Sequence, residues 1–314
     1  MKGERMSERT TIQWCDSTWN PWQGCTKVSS GCDNCYAERW GRRFGVEWGH
    51  GKTRRKASET TWRQPFGWNK QIGVCDIHHN YEDVICPICN IPTHRRRVFS
   101  LSLGDWLDSE VPVEWLARML DTIRRCDQLT WILCTKRPEN FYTRMNDVTD
   151  LWSAAHGNKK FGVWDSAGAA LNWLGEWLAG NPPPNVWILA SAEDQEMTDK
   201  RAQELLGIPA AVHGLSLEPL LGPVKIPPGL DWIVLGGETG PNARPCNIGW
   251  VRSPVRQGKE AGIPVFVKQL GSRPCVMAPD ATDTLYAVPW RLKHPKGADP
   301  SEWNEDLRVR EWPG

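Results

Sequence analysis

The chain has no long hydrophobic run. Nothing in its 314 residues approaches the ~20 unbroken apolar positions of a membrane-crossing helix, and the opening MKGERMSERTTIQW has no apolar segment of the kind a signal peptide requires. A soluble, cytoplasmic protein that does not enter a membrane is the expectation. A dominant charge is also missing: 38 Lys and Arg face 37 Asp and Glu, so any site for a polyanion must be local. No internal repeat or low-complexity tract is present. Eleven cysteines, an odd number without an export signal, point away from a disulfide scaffold and toward metal or redox chemistry.

What the chain has, from Val98 onward, is alternation. Short apolar runs at 98–103, 130–135, 186–191, 211–216, 232–236 and 264–268 read as strands, with a further strand expected near 11–14 or 19–22. Between them, PVEWLARMLDTIRRC and EMTDKRAQELLG space their apolar residues at helical intervals. Continuous apolar strands joined by helices imply a parallel sheet covered by helices, because a parallel crossover needs a dozen or more residues. The expected fold is α/β, a TIM-like parallel β/α barrel, partial or complete, with a doubly wound sheet as the alternative. Residues 1–71 carry its first part, 72–97 a Cys/His-rich metal-binding insertion, 98–271 the remainder, and 272–314 a tail packed on the barrel. Of twenty tryptophans, most read as core filler, among them Trp115, Trp131, Trp173, Trp187 and Trp232.

Nearly every expected strand ends in polar residues: Gly104-Asp105, Thr135-Lys136-Arg137, Ser191 with Glu193, Ser216 with Glu218, Gly236-Gly237-Glu238, and Lys268-Gln269. The carboxyl ends of parallel strands are where α/β folds build their active sites.

Cys25, Cys32 and Cys35 crowd one loop in WNPWQGCTKVSSGCDNCYAERW. The C-x2-C pair lets one tight turn present two sulfurs to one centre. Gly31 can supply the positive φ of a sharp turn. A structural zinc wants four ligands, and the nearest candidates for the fourth are Cys15 and His50. A [4Fe-4S] cluster on three cysteines instead keeps one iron open, the arrangement with which radical S-adenosylmethionine enzymes bind and cleave their cofactor. A cluster, a zinc completed by a distant residue, and inert buried thiols all remain readings of the spacing. Tyr36, after the last cysteine, is placed to lie near a bound adenine.

The blocks STWNPWQGCTKVSSGCDNCYAERW, SLGDWLD, LCTKRPEN, LSLEPLLGPV, DWIVLGGETGPNARP and VFVKQLG resemble the phage-associated three-cysteine-motif family over about residues 11–271. That family is similar to radical S-adenosylmethionine enzymes, with spore photoproduct lyase as a distant relative. The resemblance implies a barrel whose first loop carries an iron–sulfur cluster on Cys25, Cys32 and Cys35, with S-adenosylmethionine as cofactor and an electron donor as partner. Two departures stand. Six residues separate the first two cysteines where radical enzymes have three. Where those enzymes carry a Gly-Gly-Glu-like element to bind the methionine amino group, this chain has Ser102-Leu103-Gly104-Asp105; Asp105 could accept the same hydrogen bonds. The literal Gly236-Gly237-Glu238 comes later, where a substrate or ribose role fits.

A second cysteine group, GVCDIHHNYEDVICPICN, places Cys75, His78, Cys86 and Cys89 as C-x2-H-x7-C-x2-C. Four ligands without a vacancy suit structural zinc; a second iron–sulfur cluster or no metal are the alternatives, and His79 and His94 are alternative ligands.

Basic residues flank both elements: Arg39, Arg42, Arg43, Lys52, Arg54, Arg55 and Lys56, then Arg95, Arg96 and Arg97, with Trp40, Trp48 and Trp62 interleaved. They could form a rim that grips the phosphates of DNA or RNA, with aromatics that stack on an extruded base. Lys136 and Arg137 could contact a phosphate or the cofactor carboxylate. Cys134 and Cys246 are candidate hydrogen-atom donors, Cys246 the better placed of the two because it lies in the loop after a barrel strand, and Glu238 is the second candidate catalytic residue. The expected function is a radical S-adenosylmethionine-type enzyme acting on a nucleic acid base in repair or modification. The alternative is a non-catalytic metal-containing nucleic-acid-binding protein.

Overall fold

The computed structural model describes residues 10–71, 73–75, 85–90, 93–157, 167–277 and 287–314. Seven strands form one sheet: β1 (Ser17–Trp19), β2 (Arg97–Ser100), β3 (Thr130–Thr135), β4 (Val186–Ser191), β5 (Val212–Leu217), β6 (Trp232–Gly236) and β7 (Val265–Gln269). Each pairs in parallel with its neighbour in chain order. A doubly wound sheet would reverse its strand order at a switch point; here the order never reverses. The sheet curls into a half-barrel, and among the described residues β1 and β7 do not pair. The first strand lies between the two stretches expected for it, at Ser17–Trp19.

The apolar runs are continuous because both faces of the sheet are covered. Along β3, Trp131 and Leu133 face the main core, whereas Ile132 faces a second cluster on the concave side together with Phe99, Leu189, Val234 and Phe266. Helices α3 (Val113–Arg125), α4 (Phe141–Gly157), α5 (Ala167–Leu178), α6 (Gln195–Leu206) and α7 (Ile248–Ala261) carry the chain between strands, while 218–231 joins β5 to β6 without a helix. Helix α6 starts where Asp194 accepts from the Met197 amide at 2.9 Å, an N-cap that fixes the turn after β4. Helices α1 (Tyr36–Arg43) and α2 (Glu59–Trp68) lie between β1 and β2.

Trp14, 1% exposed, sits at the amino-terminal end of the concave cluster against Phe99 and Trp232. The tail completes this end. Residues 309–311 run antiparallel along the free edge of β7, with the Val267 amide donating to Val309 and that of Glu311 to Val265, both at 2.9 Å. Trp312 then reaches the first segment, its indole donating to the Trp14 carbonyl at 3.1 Å. The expected packing of the tail on the sheet is therefore specific. Part of it, Pro274–Val276 and Val288–Pro289, instead forms a small sheet with Cys246–Asn247. No helix among the described residues is long and apolar enough to cross a membrane.

Candidate functional site

With its amino-terminal end filled by Trp14, the half-barrel opens at the carboxyl ends of its strands into a cavity of about 200 Å³. Cys25, Cys32 and Cys35 all line it, together with Tyr36, Gly104, Asp105, Lys136, Ser191, Glu218, Gly237 and Glu238. Residues far apart in sequence meet there because each follows a strand that ends at the same rim.

The cysteine loop is held from several sides. Gly24, at φ +108°, lets the chain pass close to Gly104, bridging to it and donating to the Leu103 carbonyl at 3.1 Å. Gly31 lies over Glu193: a Cβ there would stand 2.7 Å from Glu193 Oε2. Glu193 is fully buried and pairs with Arg201 at 2.9 Å, while Arg201 also donates to Ser29 Oγ. Burial alone would push the Glu193 carboxyl up, but its contacts with Ser29, Lys136 and Arg201 hold it below the ordinary range. Glu193 thus supports the loop from beneath and does not line the cavity. Glu238 binds the loop from the side, accepting from Asn34 Nδ2 at 3.0 Å and from the Arg244 amide, Nε and Nη2, while Arg244 reaches the Ser30 carbonyl at 2.9 Å. Arg244 lies in the block DWIVLGGETGPNARP, but its role in holding the loop follows only from the fold.

The sulfurs of Cys25, Cys32 and Cys35 do not all fall within 4.8 Å of one another, the closeness seen at Cys75, Cys86 and Cys89. A single tetrahedral zinc at about 2.3 Å from each sulfur brings its thiolates to about 3.8 Å; a cluster, bound one sulfur to each iron, needs them farther apart. Three cysteine sulfurs around one cavity are a ligand type that suits an iron–sulfur cluster. Burial, together with the charges of Asp105 and Asp108, pushes the Cys25 thiol up to about 12, against the pull of Arg137. Arg137 Nη1 donates to Cys25 Sγ at 3.4 Å and pairs with Asp105 Oδ2 at 2.8 Å.

Asp105 is saturated. Its Oδ1 accepts from the Leu107 amide and Thr135 Oγ1, and its Oδ2 from the Lys136 amide and Arg137. A carboxylate has about four acceptor sites, so none is left for an incoming ammonium, and the expected cofactor contact at Asp105 gives way to a role in holding Arg137. Glu218 has room. Its partners among the described residues are Lys268, at 2.8 Å, and Ser216 Oγ, at 3.4 Å. Lys136 touches the Glu218 carbonyl at 3.4 Å and makes no ion pair among the described residues. Gly236 lies under Glu218, where a Cβ would meet Oε1 at 2.5 Å. An acceptor with spare lone pairs and a cation without a direct ion-pair partner among the described residues therefore face one space, beside the rings of Tyr36, Trp48 and Phe99.

The two candidate thiols exchange places. Cys134 lines the cavity with its sulfur 3.0 Å from Ser191 Oγ. Cys246 is 1% exposed in the small sheet beside Pro274 and is not among the residues lining the cavity. Several members of the expected basic rim are also internal. Arg54 is buried against Asp108 at 2.8 Å, Arg96 bonds Ser17 Oγ, and Arg97 packs against Asp16 and Trp312. Trp62, 1% exposed, is core.

In the insertion, Cys75 and Cys86 are buried, Cys75 Sγ lies 3.5 Å from Cys89 Sγ, and the three sulfurs can hold a metal ion. His78 and His79 lie outside the described residues. His94 faces elsewhere, with Nε2 3.0 Å from Asp16 Oδ2.

These features define an α/β half-barrel with a cysteine-lined cavity at the carboxyl ends of its strands. The chain belongs to DUF5131, a family described as protein of unknown function, whose model matches residues 9–287. No curated protein and no solved structure matches it.

Proposed function

We propose that the protein is an iron–sulfur enzyme of the radical S-adenosylmethionine type, acting on a nucleic acid base, with Cys25, Cys32 and Cys35 as the cluster ligands. The reading rests above all on three cysteines that share one cavity at the strand ends without closing to single-ion distance. It agrees with the resemblance to the three-cysteine-motif family and its partial β/α-barrel relatives. When bound, the cluster supplies an electron to the cofactor sulfonium and the cofactor supplies hydrogen abstraction, with an external one-electron donor to restore the cluster.

The chain's own residues have separable tasks. Arg137, held by Asp105, keeps a positive charge on Cys25. Glu218 offers acceptor sites for an ammonium or ribose hydroxyl, and Lys136 a cation for a carboxylate, a pair that complements the amino-acid end of the cofactor. Tyr36, its hydroxyl donating to the Ser102 carbonyl at 2.7 Å, sets a ring at the cavity wall for an adenine. Cys134, beside Ser191, is the thiol positioned to return a hydrogen atom. Cys75, Cys86 and Cys89 hold a structural zinc in the insertion, completed by a fourth ligand. Free thiols throughout suit a reducing cytoplasm.

Oxygen-free purification with metal analysis tests this. The expected result is brown protein with about four irons and one zinc per chain, releasing 5′-deoxyadenosine from S-adenosylmethionine under dithionite. Cys25→Ala removes the iron and the product but leaves the zinc. Colourless wild-type protein holding zinc alone overturns the proposal in favour of a non-catalytic binding protein.

A further inference from the structure

Helix α1 leaves the cysteine loop at Tyr36 and carries a second aromatic feature outward. Tyr36 and Trp40 lie four residues apart on one face of the helix, about 6 Å along its axis, and Phe44, which ends it, packs its ring against Trp40. Tyr36 lines the cavity; Trp40 and Phe44 lie beyond it, 37% and 54% exposed, with ring centroids 4.4 Å apart. Two large exposed rings in tilted contact, with neither in the core, are an unpartnered surface. Their surroundings carry charge. Residues 25–56 hold eight Lys and Arg against three Asp and Glu, a net of +5 in a chain whose total is +1. Part of that excess is used elsewhere, Arg54 inside on Asp108 and Lys27 and Arg42 on Glu38; what stays near the rings comes from Arg43 and the strand Arg55–Lys56, which pairs with Trp22–Gln23 just ahead of Cys25, with Arg55 Nη1 donating to the Phe44 carbonyl at 2.9 Å. Arg43 is exposed beside Phe44.

We infer that this face of α1, with Arg43, Arg55 and Lys56, is the docking surface for a single-stranded nucleic acid, which it feeds past Tyr36 into the cavity. The inference rests on the proposed action on a base and specifies strandedness and place. Ring faces bind any unstacked base, and flanking guanidinium groups track the phosphates. A duplex keeps its bases stacked and offers nothing to Trp40 and Phe44. The patch is aromatic and basic, with Val28 the only large aliphatic side chain that residues 25–56 expose, and that pairing of ring faces with cations complements unstacked bases and their phosphates.

Fluorescence anisotropy with labelled fifteen-nucleotide oligo(dT), a duplex of the same length, and the full-length protein is the test. Binding of the single strand tighter than the duplex is expected. Trp40→Ala and Phe44→Ala should each weaken it between about 5-fold and 100-fold, with iron content and absorbance unchanged. Arg43→Ala should lower the salt slope by about 0.7. Equal affinity for duplex and single strand, no binding at low salt, or full binding by Trp40→Ala and Phe44→Ala overturns the docking surface. Iron loading separates this from the enzymatic reading: iron-bearing protein that ignores the strand loses the surface alone, and iron-free protein that binds it through Trp40 loses the cluster chemistry alone.

Discussion

At the scale of single residues, the cavity turns on how charges are shared. Asp105 and Arg137 neutralise each other in a site where both are nearly buried, and the guanidinium spends a further hydrogen bond on Cys25 Sγ. A donor to a ligand sulfur stabilises the more negative, reduced state of a cluster and so raises its potential. With Cys25 as a ligand of the proposed cluster, Arg137→Met should therefore lower the midpoint potential of the iron-loaded protein, read by a redox titration followed by electron paramagnetic resonance. A charged hydrogen bond of roughly 1.5 kcal/mol corresponds to about 60 mV for one electron. Arg137→Lys, which keeps the charge, should fall by less, whereas a merely structural arginine would leave the potential where it was. Asp105 and Lys136 were legible as polar residues at strand ends. That Asp105 is filled by its neighbours, and Glu218 is not, depends on which donors the fold brings within 3 Å, and no local pattern encodes that.

At the scale of elements, apolar runs revealed the strands because a segment buried on both faces leaves no polar alternation to blur it. The first strand was harder to place, since its three residues STW sit among four other tryptophans between positions 14 and 48 that serve other surfaces. What fixes it is a clamp. Asp16, just before β1, accepts from the Arg97 amide at 2.7 Å and from His94 at 3.0 Å, tying β1 to β2. Burial pushes this carboxyl up, but the hydrogen bond from His94 and the charges of Arg97 and His94 outweigh it and lower it from 3.8 to about 2. A carboxyl depressed in the folded state stabilises fully above its unfolded value and loses that contribution as pH falls through the folded one. The stability from Asp16, about 2 kcal/mol, should thus be complete above about pH 4 and disappear toward pH 2. Denaturant titrations of wild type and Asp16→Asn should differ by that amount at pH 7 and converge as the pH approaches 2. A difference that stays constant from pH 7 to pH 3 and below would mean the clamp works through shape and not charge.

At the scale of the whole molecule, a half-barrel has a problem that a closed barrel avoids: an exposed strand edge and an open interior. The tail answers both, and it was readable from the sequence only as irregular chain after Pro274, because an antiparallel bridge between positions 266 and 310 leaves no periodic trace. Trp312 joins the two ends of the sheet. Its ring lies 4.9 Å from that of Phe266 in β7, under the Arg97 guanidinium of β2 at 4.1 Å, and its indole holds the segment carrying Trp14. Trp14 in turn fills the amino-terminal end of the concave space and lines the floor of the cavity above it, so the cavity keeps its shape only while that plug is seated. Trp312→Ala should therefore destabilise the fold by about 2–4 kcal/mol, somewhat less than a fully buried tryptophan costs, and the loss should appear as a lowered denaturation midpoint. Because 309–311 also shields β7, the variant should associate at concentrations where wild type does not, measured by light scattering. Trp312→Phe, which keeps the ring but not the hydrogen bond to Trp14, should recover most of the stability. If alanine is tolerated without change in midpoint or scattering, the tail merely rests on the sheet, and closure of the half-barrel must come from the contacts of Trp14 alone.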